Sequence, residues 1–262
     1  MALRLLPSAV RRDLRALYDF ARLVDELGDA ALGDRLARLD AMEAGFRAAL
    51  DGRPPTALLG EVARSVRRHR LPAEPFLRLI EANRRDQLIH RYASWGELRE
   101  YCSFSAEPVG HLVLGVFGAA SAERIALSDD VCTALQLLEH CQDVAEDRAA
   151  GRLYLPAEDL ERFGCSEAEL DGRRASLALR RTLAFQVARA RRLLERGDPL
   201  VAGLRGAARL AVAGYVAGGR AAADGLERIG FDVLAHSARS RRRDLLRHLL
   251  PLWLWRGWRR SG

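Results

Sequence analysis

The stretch QLLEHCQDVAEDRAAGRLYLP, residues 136–156, decides how the rest of the chain is read. Asp143 and Asp147 stand four apart in it, with Glu146 beside them and Arg148, Arg152 and Tyr154 before Pro156 ends the segment. On a helix, residues i and i+4 project from one face, so two carboxylates at that spacing repel unless a cation lies between them. The spacing recurs once, as Asp25 and Asp29 in VDELGD, and the chain has no third Asp-x-x-x-Asp pair. A single pair on an arginine-rich helix is most often solvated surface tied to its neighbours. Two pairs on separate helices, each bordering an apolar stripe, instead predict an acidic pocket for hard divalent cations, with arginines nearby for an anion.

The apolar stripes are legible on both sides. Pro7 and Ser8 open a first helix whose stripe is Val10, Leu14, Leu17, Ala21 and Val24. Asp25 lies three turns plus roughly 20° beyond Leu14, so it shares a face with Leu14 and Tyr18 rather than with Arg11 and Arg15. Arg22 falls one turn before it. Farther on, Ser128 with Asp129 and Asp130 is the expected N-cap of the helix that carries the second pair. Gln136, Asp143 and Asp147 then align, and Val131, Leu135 and Leu138 form the adjoining stripe.

Other helices are expected near 34–50, 56–69, Glu74–His90, 97–118, 173–195 and 199–227. Ser105, Ala106, Pro108 and Gly110 interrupt the fourth of these; small residues admit a close backbone or a bulky ligand, and Pro108 kinks or restarts the helix. With no internal repeat or low-complexity linker, residues 1–236 read as one all-α domain. The tail, 237–262, holds three of the four tryptophans (Trp253, Trp255, Trp258) among many arginines. It suits the headgroup region of an anionic membrane, a C-terminal helix closing the bundle, or a frayed end.

Composition narrows the partners. A chain of 262 residues, 49% hydrophobic, can bury one sizeable core. All 42 basic residues are arginine, which we read as genome composition. A net charge of +7 favours anionic partners: diphosphates or a membrane surface, and not nucleic acid, since no aromatic-interleaved basic module is present. Cys102, Cys132, Cys141 and Cys165 lack a C-x-x-C spacing, and no signal peptide or apolar run of about 20 residues appears, so a reduced, cytoplasmic chain is expected. The six histidines lack metal-ligand spacing and are assigned no role. No Ser-His-Asp order, P-loop or G-x-G-x-x-G is found.

Three stretches together resemble the squalene and phytoene synthase family. YDFARLVDELGD, residues 18–29, is similar to its first aspartate motif, with an Arg three residues before the first Asp. YCSFSAEPVG, residues 101–110, resembles its first signature, and residues 136–156 its second, down to the closing Arg-x-Tyr-x-Pro. The resemblance runs in order from Leu5 to Leu234. Ser-Ala-Glu-Pro-Val-Gly, Gln-Asp-Val-Ala-Glu-Asp and the Tyr92–Trp95 link are nearest the hydroxysqualene-forming branch of hopanoid biosynthesis; condensing relatives usually carry Arg at the position of Gln142. The chain departs from the pattern at Glu139, where Asn is common, and at His140 and Cys141, where aromatics are common. It also begins at MALRLLP, where relatives have a further segment.

The resemblance implies an all-α isoprenoid-synthase bundle with a central cavity between two Mg²⁺-binding aspartate motifs. Asp25, Asp29, Asp143 and Asp147 would be the metal ligands, with Asp25, Asp143, Asp147 and the cavity tyrosine Tyr101 as catalytic residues. Arg22, Arg152, Gln142 and Tyr154 would bind substrate. The implied reaction is ionisation of presqualene diphosphate, rearrangement of the cyclopropyl cation and capture by water, giving hydroxysqualene. The alternatives are a head-to-head prenyl transferase making presqualene diphosphate, phytoene or squalene, or a non-catalytic helical member of the family. Expected partners are the prenyl diphosphate, pathway enzymes, and a membrane touched from its inner face by the tail.

Overall fold

With Ala, Leu and Arg abundant and β-branched residues scarce, the backbone has little alternative to helix. The computed structural model describes residues 7–29 and 33–254, the side chains of 253 and 254 excepted. Among the described residues there are α1 (Ser8–Asp29), α2 (Arg35–Leu50), α3 (Ala57–His69), α4 (Glu74–Arg85), α5 (Trp95–Ser105), α6 (Glu107–Val116) and α7 (Ala122–Gln142). There follow α8 (Val144–Ala149), α9 (Ala157–Arg162), α10 (Leu177–Arg196), α11 (Asp198–Gly203), α12 (Gly206–Arg228) and α13 (Arg242–Leu254). No strand forms among them; one parallel bridge joins Arg91 and Leu153.

The helices sort into two compact units. The first comprises Met1–Ile89 with Ser103–Ile125, the second His90–Cys102 with Ala126–Gly262. In the first, α1 packs on α2, α3, α4 and α6. Its centre is three fully buried rings, Phe20, Phe46 and Phe76, with centroids 4.9–5.5 Å apart. Asp13 is buried between α1 and α3, where it accepts from Ser65 Oγ at 3.0 Å and Arg68 Nη1 at 2.9 Å and meets His69 Nε2 at 2.8 Å. Burial alone would raise its pKa, but these partners outweigh burial and hold it below the ordinary carboxylate value. His69 therefore has a structural role that sequence spacing does not show.

In the second unit α10 and α12 pack on each other, and α13 lies along α12. Gly219 of α12 brings the backbone so near α7 and α10 that a Cβ there would sit 2.7 Å from Leu135 and 3.2 Å from Leu194. Asp159 is buried and accepts from Gln186 and Arg189, each at 2.7 Å.

Several boundaries differ from the sequence expectation. α4 stops at Arg85 rather than reaching His90, because residues 87–89 turn back onto Arg84 and Arg85 and the His90 carbonyl accepts from Leu153 N–H. Ser128 is not an N-cap: it is buried inside α7, which starts at Ala122 with Ser121 Oγ accepting from Arg124 N–H. The expected 199–227 helix is two, because Leu204 and Arg205 are extended and Gly206 takes the left-handed φ of +54°. Pro108 restarts the chain as α6 after α5, as expected. Residues Arg242–Leu254 of the tail form the closing helix α13, while the side chains of Trp253, Trp255 and Trp258 lie outside the described residues.

Candidate active site

Asp25 and Asp29 stand at the C-terminal end of α1, and α4 sets their surroundings. Asn83 Nδ2 donates to Asp25 Oδ1 at 3.1 Å and to Leu79 O at 3.3 Å, and Gln87 Nε2 donates to Gly28 O at 3.0 Å. Gly28 makes this approach possible, since a Cβ there would collide with the Asn83 amide. Asp25 keeps solvent contact, yet desolvation pushes its carboxyl above the ordinary value; Asn83 and Arg22 oppose this, and Asp29 and Glu26 add to it. Arg22 Nε sits 3.4 Å from Glu26 with both side chains exposed, a pair weak enough to be exchanged for a phosphate. Tyr18, expected on the inner side with Leu14, is 65% exposed, whereas Leu14 is buried. Asp25 therefore marks the border of the packed face.

Asp143 and Asp147 are not on one continuous helix. α7 ends at Gln142, and Asp143 takes the N-cap position of α8 with φ −101° and ψ 16° and no side-chain cap bond. Main-chain bonds carry the register across the break: Asp143 N–H to Glu139 O at 2.9 Å, Asp147 N–H to Asp143 O at 2.8 Å, and Arg152 N–H to Asp147 O at 2.8 Å. The Asp143 carboxyl is half-buried and raised above the ordinary value, by desolvation first and then by Glu146. Arg148 is turned to Asp171 and Glu167, at 2.8 Å each, and Arg91 joins Glu167 at 3.0 Å. The charge of Arg152 acts on His140. Gln142 Nε2 donates to Ala238 O at 2.6 Å, which ties the end of α7 to the segment before α13.

Beside this junction lies a buried aromatic cluster. Tyr154 stacks on His140 with ring centroids 4.1 Å apart and planes within 10°, and it meets Tyr101 at 5.3 Å and Tyr92 at 5.8 Å. Tyr92 is placed by its carbonyl, which accepts from Ala157 N–H at 2.9 Å. Burial, then the charge of Arg152, pushes His140 down to about 3, so its imidazole is neutral. Its Nε2 faces Gln136 Nε2 at 3.0 Å. Burial likewise pushes the Cys141 thiol up to about 12, which makes it inert.

The first unit thus gathers Asp25, Asp29 and Arg22, and the second gathers Asp143, Asp147, Arg152, Tyr154, Tyr101 and Gln142. Sequence reading missed Asn83 and Gln87, whose signal was two polar residues one turn apart in an apolar helix line. It missed Tyr92 and His140 because aromatic packing leaves no spacing rule. The donor set suits Mg²⁺: the acids are carboxylates alone, and at each pair burial and a neighbouring acid raise a carboxyl. Among the described residues no three His, Cys, Asp or Glu side chains close into a protein-only metal cage. Mg²⁺ usually takes one or two carboxylates and completes its shell with water and phosphate.

An all-helical chain with two such carboxylate pairs and a buried aromatic cluster belongs by architecture with the isoprenoid synthases. A family model described as squalene/phytoene synthase matches residues 1–247. The hydroxysqualene synthase of Zymomonas mobilis is 34% identical over 191 residues, 71% of this chain and 63% of its own length. The 15-cis-phytoene synthase of Synechococcus elongatus is 32% identical over 208 residues, 74% of this chain and 68% of its own. The crystal structure of squalene synthase HpnC from Alicyclobacillus acidocaldarius matches with a TM-score of 0.79 at 38% identity, covering 88% of this chain and 99% of that one. This chain belongs to the squalene/phytoene synthase family and has its all-α isoprenoid-synthase fold. It spans slightly less than two thirds of the Zymomonas relative.

Proposed function

We propose that the chain converts presqualene diphosphate and water to hydroxysqualene and diphosphate. The observation that carries this is the pair of desolvated, under-compensated carboxylates, Asp25 and Asp143, each with a second Asp four residues on. Mg²⁺ held by Asp25, Asp29, Asp143 and Asp147 would supply the positive charge that offsets the departing diphosphate. Arg22 and Arg152 offer guanidinium forks to phosphate oxygens. Tyr101, Tyr92 and Tyr154 offer ring faces to an allylic or cyclopropyl cation and keep stray water from it. The carbon–oxygen bond to diphosphate breaks, a carbon–oxygen bond to water forms, and the water's proton leaves to solvent. No reductant is consumed.

Gln142 enters this reading as the residue that favours hydration over condensation, and its bond to Ala238 holds its side chain at the end of α7. Because the substrate's chains dissolve in lipid, the reading includes contact with a membrane surface. Incubation with presqualene diphosphate and Mg²⁺ should release diphosphate and an alcohol. No turnover of that substrate overturns the assignment. The similarity to a phytoene synthase over 74% of the chain supports the second reading, head-to-head condensation. Farnesyl diphosphate supplied alone, with and without NADPH, separates the two: consumption of farnesyl diphosphate favours condensation.

A further inference from the structure

The chain's net positive charge resides in residues 237–262. Residues 237–262 hold eight of the 42 arginines and one of the 35 acids, which leaves 34 of each sign in the 236 residues before them. The whole net charge of +7 therefore belongs to the tail, and the rest of the chain is balanced. Asymmetry of this kind marks an interaction surface for an anion-rich partner.

Within the tail, α13 is fastened by one face and open on the other. Asp244 is buried and pairs with Arg228, His248 Nε2 lies 2.8 Å from Asp224 Oδ2, and Arg209 donates to the Leu252 carbonyl at 2.9 Å. All three partners are on α12, so the helix is held in a fixed rotation about its axis. That rotation turns Leu246 and Leu250 outward, 54% and 50% exposed, on one line one turn apart. Arg243 stands beside them with 72% of its side chain exposed, and Arg247, 65% exposed, stands at the rim, where it also pairs with Asp224 of α12 at 2.5 Å. Leucines at i and i+4 flanked by arginines match a bilayer surface, where the apolar groups enter the acyl boundary and the guanidinium groups meet lipid phosphates. A nucleic acid would use the arginines and leave the leucines without a partner.

We infer that the outer face of α13, built from Leu246 and Leu250 between Arg242, Arg243 and Arg247, docks the protein on an anionic lipid bilayer. The inference deepens the membrane contact of the proposed function and names its surface. Trp253, Trp255, Trp258 and three more arginines follow in sequence and add to the same chemistry.

Flotation of the full chain with phosphatidylcholine vesicles, with and without phosphatidylglycerol, tests it. Binding to the phosphatidylglycerol vesicles should exceed binding to the neutral ones by at least about tenfold and fall as salt rises. The double variants Leu246→Ser/Leu250→Ser and Arg242→Glu/Arg243→Glu should each lower it by at least about tenfold, with the circular dichroism unchanged. These side chains are exposed, so neither change opens the core. Equal binding to both vesicle types, unchanged binding of either variant, or tighter binding to duplex DNA than to the anionic vesicles at the same salt overturns the inference. The vesicles carry no substrate, so failure here leaves the diphosphate chemistry standing. Absence of turnover leaves the docking surface standing.

Discussion

Asp25 and Asp29 ride on an unbroken helix and are steadied by a side chain, Asn83, from a neighbouring one. Asp143 and Asp147 flank the start of a short helix, and main-chain bonds carry the register through them. The same four-residue spacing thus rests on two different supports. What the pairs share is electrostatic: in each, one carboxyl is raised by desolvation and by an acid neighbour. Asp13, on the same helix as Asp25, shows the contrast. Its side chain is nearly closed to solvent yet its pKa is lowered, because Ser65, Arg68 and His69 all converge on it. Asp13 serves structure and is fully partnered within the fold, whereas Asp25 and Asp143 are left partly uncompensated, as the proposed metal ligands would be.

The largest effect expected from this comparison is at the second pair. Asp143→Asn should lower turnover of presqualene diphosphate by about a thousandfold, the upper end for losing one preorganised charge. In chelator, the same variant should melt no lower than the parent, because it removes an acid that burial and Glu146 already disfavour. Retained turnover would exclude Asp143 as an essential ligand. Asp13→Ala should do the reverse. Removing the buried carboxylate strands Ser65 and His69 while the half-exposed Arg68 turns to solvent, at a cost of about 1–3 kcal/mol in denaturant unfolding. The Asp13 contribution is present above the unfolded carboxylate pKa, since its folded value is depressed, and it fades as pH falls through that folded value. An acid melt in which Asp13→Ala and the parent lose stability in parallel would rule it out.

A smaller effect tests the support beneath the first pair. Asn83→Ala removes the amide that donates to Asp25, and should weaken Mg²⁺-dependent diphosphate binding by about tenfold while leaving kcat within a few-fold. Gly28→Ala should reproduce it, since the added methyl displaces that same amide. Calorimetric titration of Mg²⁺ and diphosphate checks both; wild-type affinity in either variant would confine Asn83 to packing.

How much of this was open to sequence reading depends on the range of the interaction. α1, α2 and α3 are legible because each carries its own signals: Ser8 and Pro7, Asp34 accepting from Ala37 N–H, and Thr56 accepting from Leu59 N–H. The Asp-x-x-x-Asp pairs are legible for the same local reason. The break at Asp143 is not, since residues 136–149 contain neither Gly nor Pro and read as uninterrupted helix. Ser128 carries the composition of an N-cap, yet Ser121 precedes it and α7 is long enough to bury it. Asn83 acquires meaning only once α4 lies against α1, 58 residues away in sequence from Asp25. His140 is the furthest case, because nothing local distinguishes a stacked neutral imidazole from a surface one.

That residue carries the smallest effect at neutral pH, and one whose size depends on pH. If Gln136 Nε2 donates to His140 Nε2, the imidazole proton sits on Nδ1, a buried atom with no hydrogen-bond partner. His140→Phe supplies a ring of similar shape for Tyr154 to stack on and removes that orphan donor, while the half-buried Gln136 can turn to water. The variant should gain about 1 kcal/mol at pH 7, a rise in Tm of about 2–4 °C. The folded imidazole resists protonation down to about pH 3, whereas the unfolded one titrates near its ordinary 6.5. Between those values the unfolded state binds the extra proton, so the parent loses stability as pH falls, by up to about 1.4 kcal/mol per pH unit. Phenylalanine cannot titrate, so the gap between variant and parent should widen steadily from pH 7 to pH 5. A constant gap across that range would mean that the imidazole accepts its proton within the fold, and that the stack on Tyr154 tolerates the charge.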